Sequence, residues 1–263
     1  MKIALCFIIS YQHVLNKEAL WREWIEPNRD IINVYFYYKD LRNIASPWIR
    51  AHAIPPQYIY PTSYYHVVPA YLSLLQFAHQ QDTDNQWFCL LTDSCCPIIS
   101  PQKFRQLFLE HSHRSILKWR PAWWNVHFHK RANLAQLPGE LHLANDPWFV
   151  LSREKIDVLK NLTPAQQEVA KTICRGGLAN ESFFAVLFRC CGQLSSGVLS
   201  EVTHLADWSR MSSATSPHLF VGDAQDLRFI ETQVAQYPYA MFLRKVSPAF
   251  PDAVLKKYIG LDS

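Results

Sequence analysis

The sequence predicts a single α/β domain built on a mainly parallel central sheet flanked by helices. Short apolar runs suited to buried strands alternate with segments of helical periodicity, the pattern of successive β-α units. Hydrophobic residues occupy 49% and aromatic residues 14% of the 263 positions, enough for a sizeable core. No linker, repeat or low-complexity run divides residues 1–263, so one domain is the economical organisation.

Lys2 to Ser10 is continuously apolar and reads as the first buried strand. It lacks the small-residue cleavage site of a signal peptide. Lys17 to Trp24 places Leu20, Trp21 and Trp24 on one helical face. Ile31 to Tyr38, rich in β-branched and aromatic residues, is a second strand. Prolines at 47, 55, 56 and 61 predict loop over residues 40–61. Helical spacing returns from Tyr64 to Gln80, with Pro69 in or near the first turn. Trp87 to Thr92 is a third strand, and Pro101 to His111 a helix opened by proline. Trp148 to Ser152 is a strand that runs into a helix from Arg153. Two more helices follow at 164–174 and 181–191. Finally, the apolar run from Tyr239 drives into Arg244-Lys245 and is closed by Pro248, a buried strand that ends in two cations. Such a pair can present fixed positive charge to an anionic ligand, or simply be solvated.

Composition excludes several classes. The net charge of +4 is too mild for a protein wrapped in nucleic acid. Seven glycines, with no Gly-x-Gly-x-x-Gly and no phosphate-binding glycine loop, argue against classical dinucleotide and P-loop folds. Any phosphate must then be held by side chains or a helix terminus. Seven cysteines without a Cys-x-x-Cys or a paired framework read as reduced thiols. No run approaches the roughly 18 apolar residues of a membrane span. The expectation is a soluble, cytoplasmic protein.

Two metal patterns were weighed on the residues. Asp82-Thr83-Asp84 precedes the third strand, whereas a metal triplet belongs after it, so it reads as a solvated turn. His111/His113 and His127/His129 have chelating spacing but no accompanying carboxylate or thiol. Trp119 to Trp124, followed by Lys130-Arg131, mixes cations and aromatics in the manner of a nucleic-acid platform, a pattern equally suited to a sugar-binding surface.

Six short blocks, in order, carry a resemblance. The opening Lys2-Ile3-Ala4-Leu5-Cys6-Phe7-Ile8-Ile9 with Leu20-Trp21 is the first. Leu90-Leu91-Thr92-Asp93-Ser94-Cys95-Cys96-Pro97-Ile98 is similar to an LLSESCIPL block, and Trp148 to Glu154 to a WF-x-L-[ST]-R-E segment. Asn180-Glu181-Ser182-Phe183 stands for an Asp-Glu-x-Tyr/Phe motif. Val202-Thr203 with Asp207-Trp208-Ser209-Arg210 resembles a T-x-x-x-DWSR block, and Phe242 to Val246 resembles FARKF. Together they resemble the core-2/I-branching N-acetylglucosaminyltransferase family, glycosyltransferase family 14.

The resemblance implies a GT-A type nucleotide-sugar-binding domain and inverting transfer of a sugar from a UDP-sugar to a glycan hydroxyl. It places the general base at Glu181, a residue that otherwise reads as the carboxylate of a helix N-terminus. It places the leaving diphosphate at Lys245, with Arg244 as partner. Asp93 lies on the donor side, and Arg210 or Arg228 stands for a second arginine. Trp208 packs against the acceptor sugar or in the core. Arg153 and Glu154 orient acceptor hydroxyls or cap their helix. No metal is expected, since animal members of the family use basic side chains. N-acetylglucosamine, xylose and glucuronic acid are all donors within the family. The alternative class is a non-catalytic carbohydrate- or nucleotide-binding protein that keeps the fold.

Overall fold

The computed structural model describes residues 1–9, 12–213 and 216–261. Its first third comprises β1 (Lys2–Ile8), α1 (Glu18–Ile25), β2 (Ile32–Tyr37), α2 (Pro47–Ala51), α3 (Val68–Gln81) and β3 (Asn85–Thr92). Next come β4 (Cys96–Pro97), α4 (Pro101–His111), β5 (Ser115–Ile116), β6 (Trp119–Pro121), β7 (Leu143–Asn145) and β8 (Val150–Ser152). Then follow α5 (Arg153–Lys160), α6 (Pro164–Cys174), α7 (Phe183–Cys190) and β9 (Val198–Leu199). The chain ends with β10 (His204–Leu205), α8 (Ala224–Gln236), β11 (Phe242–Leu243) and α9 (Asp252–Ile259).

The central sheet has the order β2-β1-β3-β8-β5-β9. The pairs β1–β2, β1–β3 and β5–β9 are parallel, whereas β8 runs antiparallel to both its neighbours. Register places Ile8 opposite both Tyr37 and Thr92, so the three long parallel strands finish side by side. That shared C-terminal edge is where open α/β sheets bind ligands.

Both faces of the sheet are covered. On one, Phe7 stacks on Phe36 at 5.0 Å and meets Trp21 of α1 edge-on at 4.9 Å. On the other, Tyr35 packs edge-on against Phe77 of α3, and buried Asn85 donates to the Ala78 carbonyl of the same helix. Helix starts follow local chemistry. Ser100 caps α4 ahead of Pro101, Thr163 and Gln166 form a capping box on α6, and Asp223 accepts from two amides of α8.

Several expected boundaries move, each for a local reason. The span 40–61 is not all loop: Ser46 accepts from the Ile49 amide and Pro47 occupies the first turn of α2. Those prolines start structure as well as interrupt it. The helix expected from Tyr64 begins at Val68, which puts Pro69 in the first turn where its missing N–H costs nothing. Glu181 does not open a helix; it ends the 3₁₀ turn Ala179–Glu181, and α7 starts two residues later. The first strand stops at Ile8, and Ser10 lies outside the described residues. The terminal strand shrinks to Phe242–Leu243 and sits in a separate sheet of order β10-β11-β4. It still ends directly at Arg244.

Arg153 contradicts the acceptor role expected of it. Its guanidinium donates to the carbonyls of His79 (3.0 Å), Asn85 (3.0 Å) and Asp82 (3.3 Å), tying the end of α3 to the start of β3. That is the opposite end of β3 from Thr92, roughly 23 Å away for seven strand steps. Glu154 is exposed and pairs with the buried Lys155. Asp82 likewise serves the fold: it accepts from Lys2 and Asn33, and the Lys2 hydrogen bond draws its carboxyl down to about 2.

Arg153→Ala should strand three carbonyls, costing about 1–3 kcal/mol for the lost charge-assisted bonds. Urea unfolding should show a lower midpoint with an unchanged m-value. An unmoved midpoint would remove the clamp from the account of stability.

Candidate functional site

A cavity of about 660 Å³ opens at the shared C-terminal edge of the parallel strands. Ile8 of β1 with Ile9 just beyond it, Tyr37 of β2, and Thr92 of β3 with Asp93 and Ser94 after it line one side. Tyr64 and Val67 come from the chain before α3, Ala70 and Tyr71 from its first turns, and Leu178, Asn180 and Glu181 from the 3₁₀ turn and the residue before it. Trp148, Trp208, Pro217, Arg244 and Lys245 complete the wall.

Glu181 is delivered by a buried anchor. Asn145 in β7 donates to the Asn180 carbonyl at 2.9 Å and accepts from the Ala185 amide, locking the turn to the helix that follows it. The Oε2 of Glu181 lies 3.4 Å from Arg131 Nη2 as an ion pair, and this buried oxygen accepts no hydrogen bond among the described residues. Burial raises the Glu181 pKa; Arg131 opposes the shift and Asp146 adds to it. Burial also pushes nearby Asp146 up to about 6, against Arg120 and Lys118. A carboxylate whose pKa is raised by burial, on the lining of a cavity, is the kind of group that can exchange a proton with a bound ligand.

Arg244 and Lys245 follow β11 into the same cavity. The Arg244 guanidinium lies over the Trp148 ring, 3.6 Å from its centroid, and donates to Thr92 Oγ1 at 3.1 Å. Its Nε is buried with no hydrogen-bond partner among the described residues, and burial lowers its pKa. Buried His204 sits behind it; burial first, then Arg244, holds its pKa well below the ordinary range, so it is neutral. Lys245 donates to Ser216 Oγ at 3.0 Å. Its pKa is lowered by burial and by Arg244, with Asp93 opposing.

The structure therefore brings Glu181, Asp93, Trp208, Arg244 and Lys245 to one cavity. Trp208 is 48% exposed there, which excludes the core-packing alternative. Arg210 does not line the cavity. It is held between Asp207 (2.6 Å) and the fully buried Asp226 (3.0 Å), bracing the loop that carries Trp208. Arg228 is exposed on α8, so neither arginine joins the cation pair. Arg153 and Glu154 stand apart, as described above. Among the described residues no group of three or more His, Cys, Asp or Glu is arranged to hold a metal.

Sequence reasoning missed Tyr71, Asn145, Trp148 as the platform for Arg244, and Arg131 as the neighbour of Glu181. Lys130-Arg131 was visible as a basic step beside aromatics, but its partner is fifty positions away.

A carboxylate with a raised pKa and two cations thus line one cavity at the strand ends. Residues 35–228 match the family model for the Core-2/I-Branching enzyme, about three quarters of the chain. The chain belongs to that family of glycosyltransferases. The match includes Asp93, Glu181, Trp208 and Arg210, and it ends before Arg244 and Lys245. No curated protein matches the chain. Among the described residues no helix is long and apolar enough to cross a membrane.

The raised pKa of Glu181 has a consequence for stability. The folded state binds this proton more tightly than the unfolded state, so the contribution is complete below the unfolded value. It is lost as pH rises through the folded value. Glu181→Gln, permanently neutral, should melt higher than the wild type at pH 7–8. The difference should fade below about pH 4, near the unfolded carboxyl value. Parallel thermal melts across pH would decide it; equal melting temperatures at pH 8 would mean the buried carboxylate carries no penalty.

Proposed function

We propose that the chain is an inverting glycosyltransferase of GT-A type. It transfers N-acetylglucosamine, xylose or glucuronic acid from a UDP-sugar to a glycan hydroxyl, without a metal. The observation that supports the reading is that Glu181, whose pKa is raised by burial, lines the same cavity as Arg244 and Lys245.

The chemistry fits in one in-line step. The acceptor oxygen bonds to the anomeric carbon as its proton passes to Glu181, and the bond from that carbon to the diphosphate breaks. Negative charge then appears on the departing phosphate oxygen, where Lys245 and Arg244 supply fixed positive charge in a partly desolvated wall. The exposed face of Trp208 suits the apolar face of an acceptor pyranose. Tyr37, Lys39 and Tyr64, at the end of β2 and in the loop before α3, line the part of the cavity left for the nucleoside.

Glu181→Gln keeps volume and loses the proton acceptor. Turnover should fall by about 10²–10⁴ while UDP affinity hardly changes, because the base acts on the acceptor. A well-folded Glu181→Gln protein with near-normal transfer would remove Glu181 from the mechanism.

Transfer should survive EDTA, and Lys245→Ala should weaken UDP binding and lower turnover by about 10²-fold or more, the scale of one lost charge contact. Activity abolished by chelator and restored by manganese would transfer the diphosphate role to a metal at Asp93.

A further inference from the structure

Lys245 follows β11; its side chain donates to Ser216 Oγ and its carbonyl accepts from the Phe220 amide. The segment just after it is held by two residues from the far end of the sequence. Asn16 Nδ2 donates to the Val246 carbonyl at 2.9 Å, while the Asn16 amide donates to the Asp93 carbonyl at 2.9 Å. The Val246 amide in turn donates to the Ser94 carbonyl at 2.8 Å. Asn16 thus ties the residue after Lys245 to the turn that carries Asp93, and it borders the cavity itself.

Lys17 secures the next stretch. Its ammonium is almost wholly buried and has three acceptors: the Pro248 carbonyl, the Phe250 carbonyl and Asp252 Oδ1. A buried ammonium is tolerated only when its N–H groups are satisfied, so Lys17 requires residues 248–252 in this path. Residues 246–252 are therefore pinned from the loop between β1 and α1, and Lys245 leaves the chain at the edge of that pinned segment.

We propose that Asn16 and Lys17 form a latch that positions Lys245 for the diphosphate, with Asn16 as the element closest to the cation. The inference rests on the assignment of Lys245 to the donor phosphates. Neither latch residue needs to touch the ligand. Each acts by denying the Lys245 backbone the freedom to turn its side chain toward solvent.

The test is a double-mutant cycle on ligand affinity, using UDP and uridine as probes on the full chain. Asn16→Ala should fold, because the Asn16 side chain is only partly buried. It should weaken UDP binding about tenfold and leave uridine binding within twofold, since uridine has no phosphate. In a Lys245→Ala background the same change should cost less than twofold, because no cation remains to be positioned. A melting temperature on each variant identifies global damage. An Asn16→Ala protein with UDP affinity within twofold of wild type overturns the latch. So does an effect that adds fully to that of Lys245→Ala, which would make Asn16 a direct contact. If Lys245→Ala leaves UDP affinity unchanged, the phosphate assignment itself fails, and the latch with it.

Discussion

The site depends on where a single guanidinium is allowed to lie. Arg244 is buried, and no ion pair among the described residues involves it. An isolated cation in that position is costly unless an aromatic face, a hydroxyl and a ligand share the charge. Trp148, just before β8, supplies the face, and Thr92, at the end of β3, the hydroxyl. Among the described residues the buried Nε has no hydrogen-bond partner. Such a cation raises the value of any anion that enters the cavity, and it adds to the burial that lowers the pKa of His204.

The electrostatic logic at Glu181 is the reverse: burial raises its pKa, and Arg131 limits the shift. The anchoring of both walls is polar and specific: Asn145 holds the turn of Glu181, and Asn16 and Lys17 hold the chain beyond Lys245. The loop that presents Trp208 is braced by Arg210 between two buried carboxylates. Side chains that looked chemically active in sequence, Arg153 and Arg210 above all, are spent on this bracing.

Much of the framework was legible because it is local. Strands β1, β2 and β3 announce themselves as continuous apolar runs, and α4 and α6 by Ser-Pro or Thr-Pro starts. The two-residue strands β4, β5, β9 and β10 were not legible, since a strand of that length has no periodicity of its own. The antiparallel turn of β8 was hidden for a related reason: direction is set by the partner, not by composition. Likewise α2 was concealed by prolines that serve as its first turn.

The sequence by itself determined the buried strands, the order of helices and the residue types available for chemistry, among them Glu181, Asp93, Trp208 and the Arg244-Lys245 pair. The strands, the helices and the Arg244-Lys245 pair follow from short-range patterns of apolarity, capping and charge, whereas Glu181, Asp93 and Trp208 stand out only through the family resemblance. Tertiary structure alone decided which charged residues share a cavity and which do not. Arg153 and Glu181 lie 28 positions apart yet serve opposite ends of the molecule, while Asn16 meets Val246 across 230. The physical reason is that ionisable groups take their role from desolvation and neighbours, and both are fixed only when distant segments pack against one another.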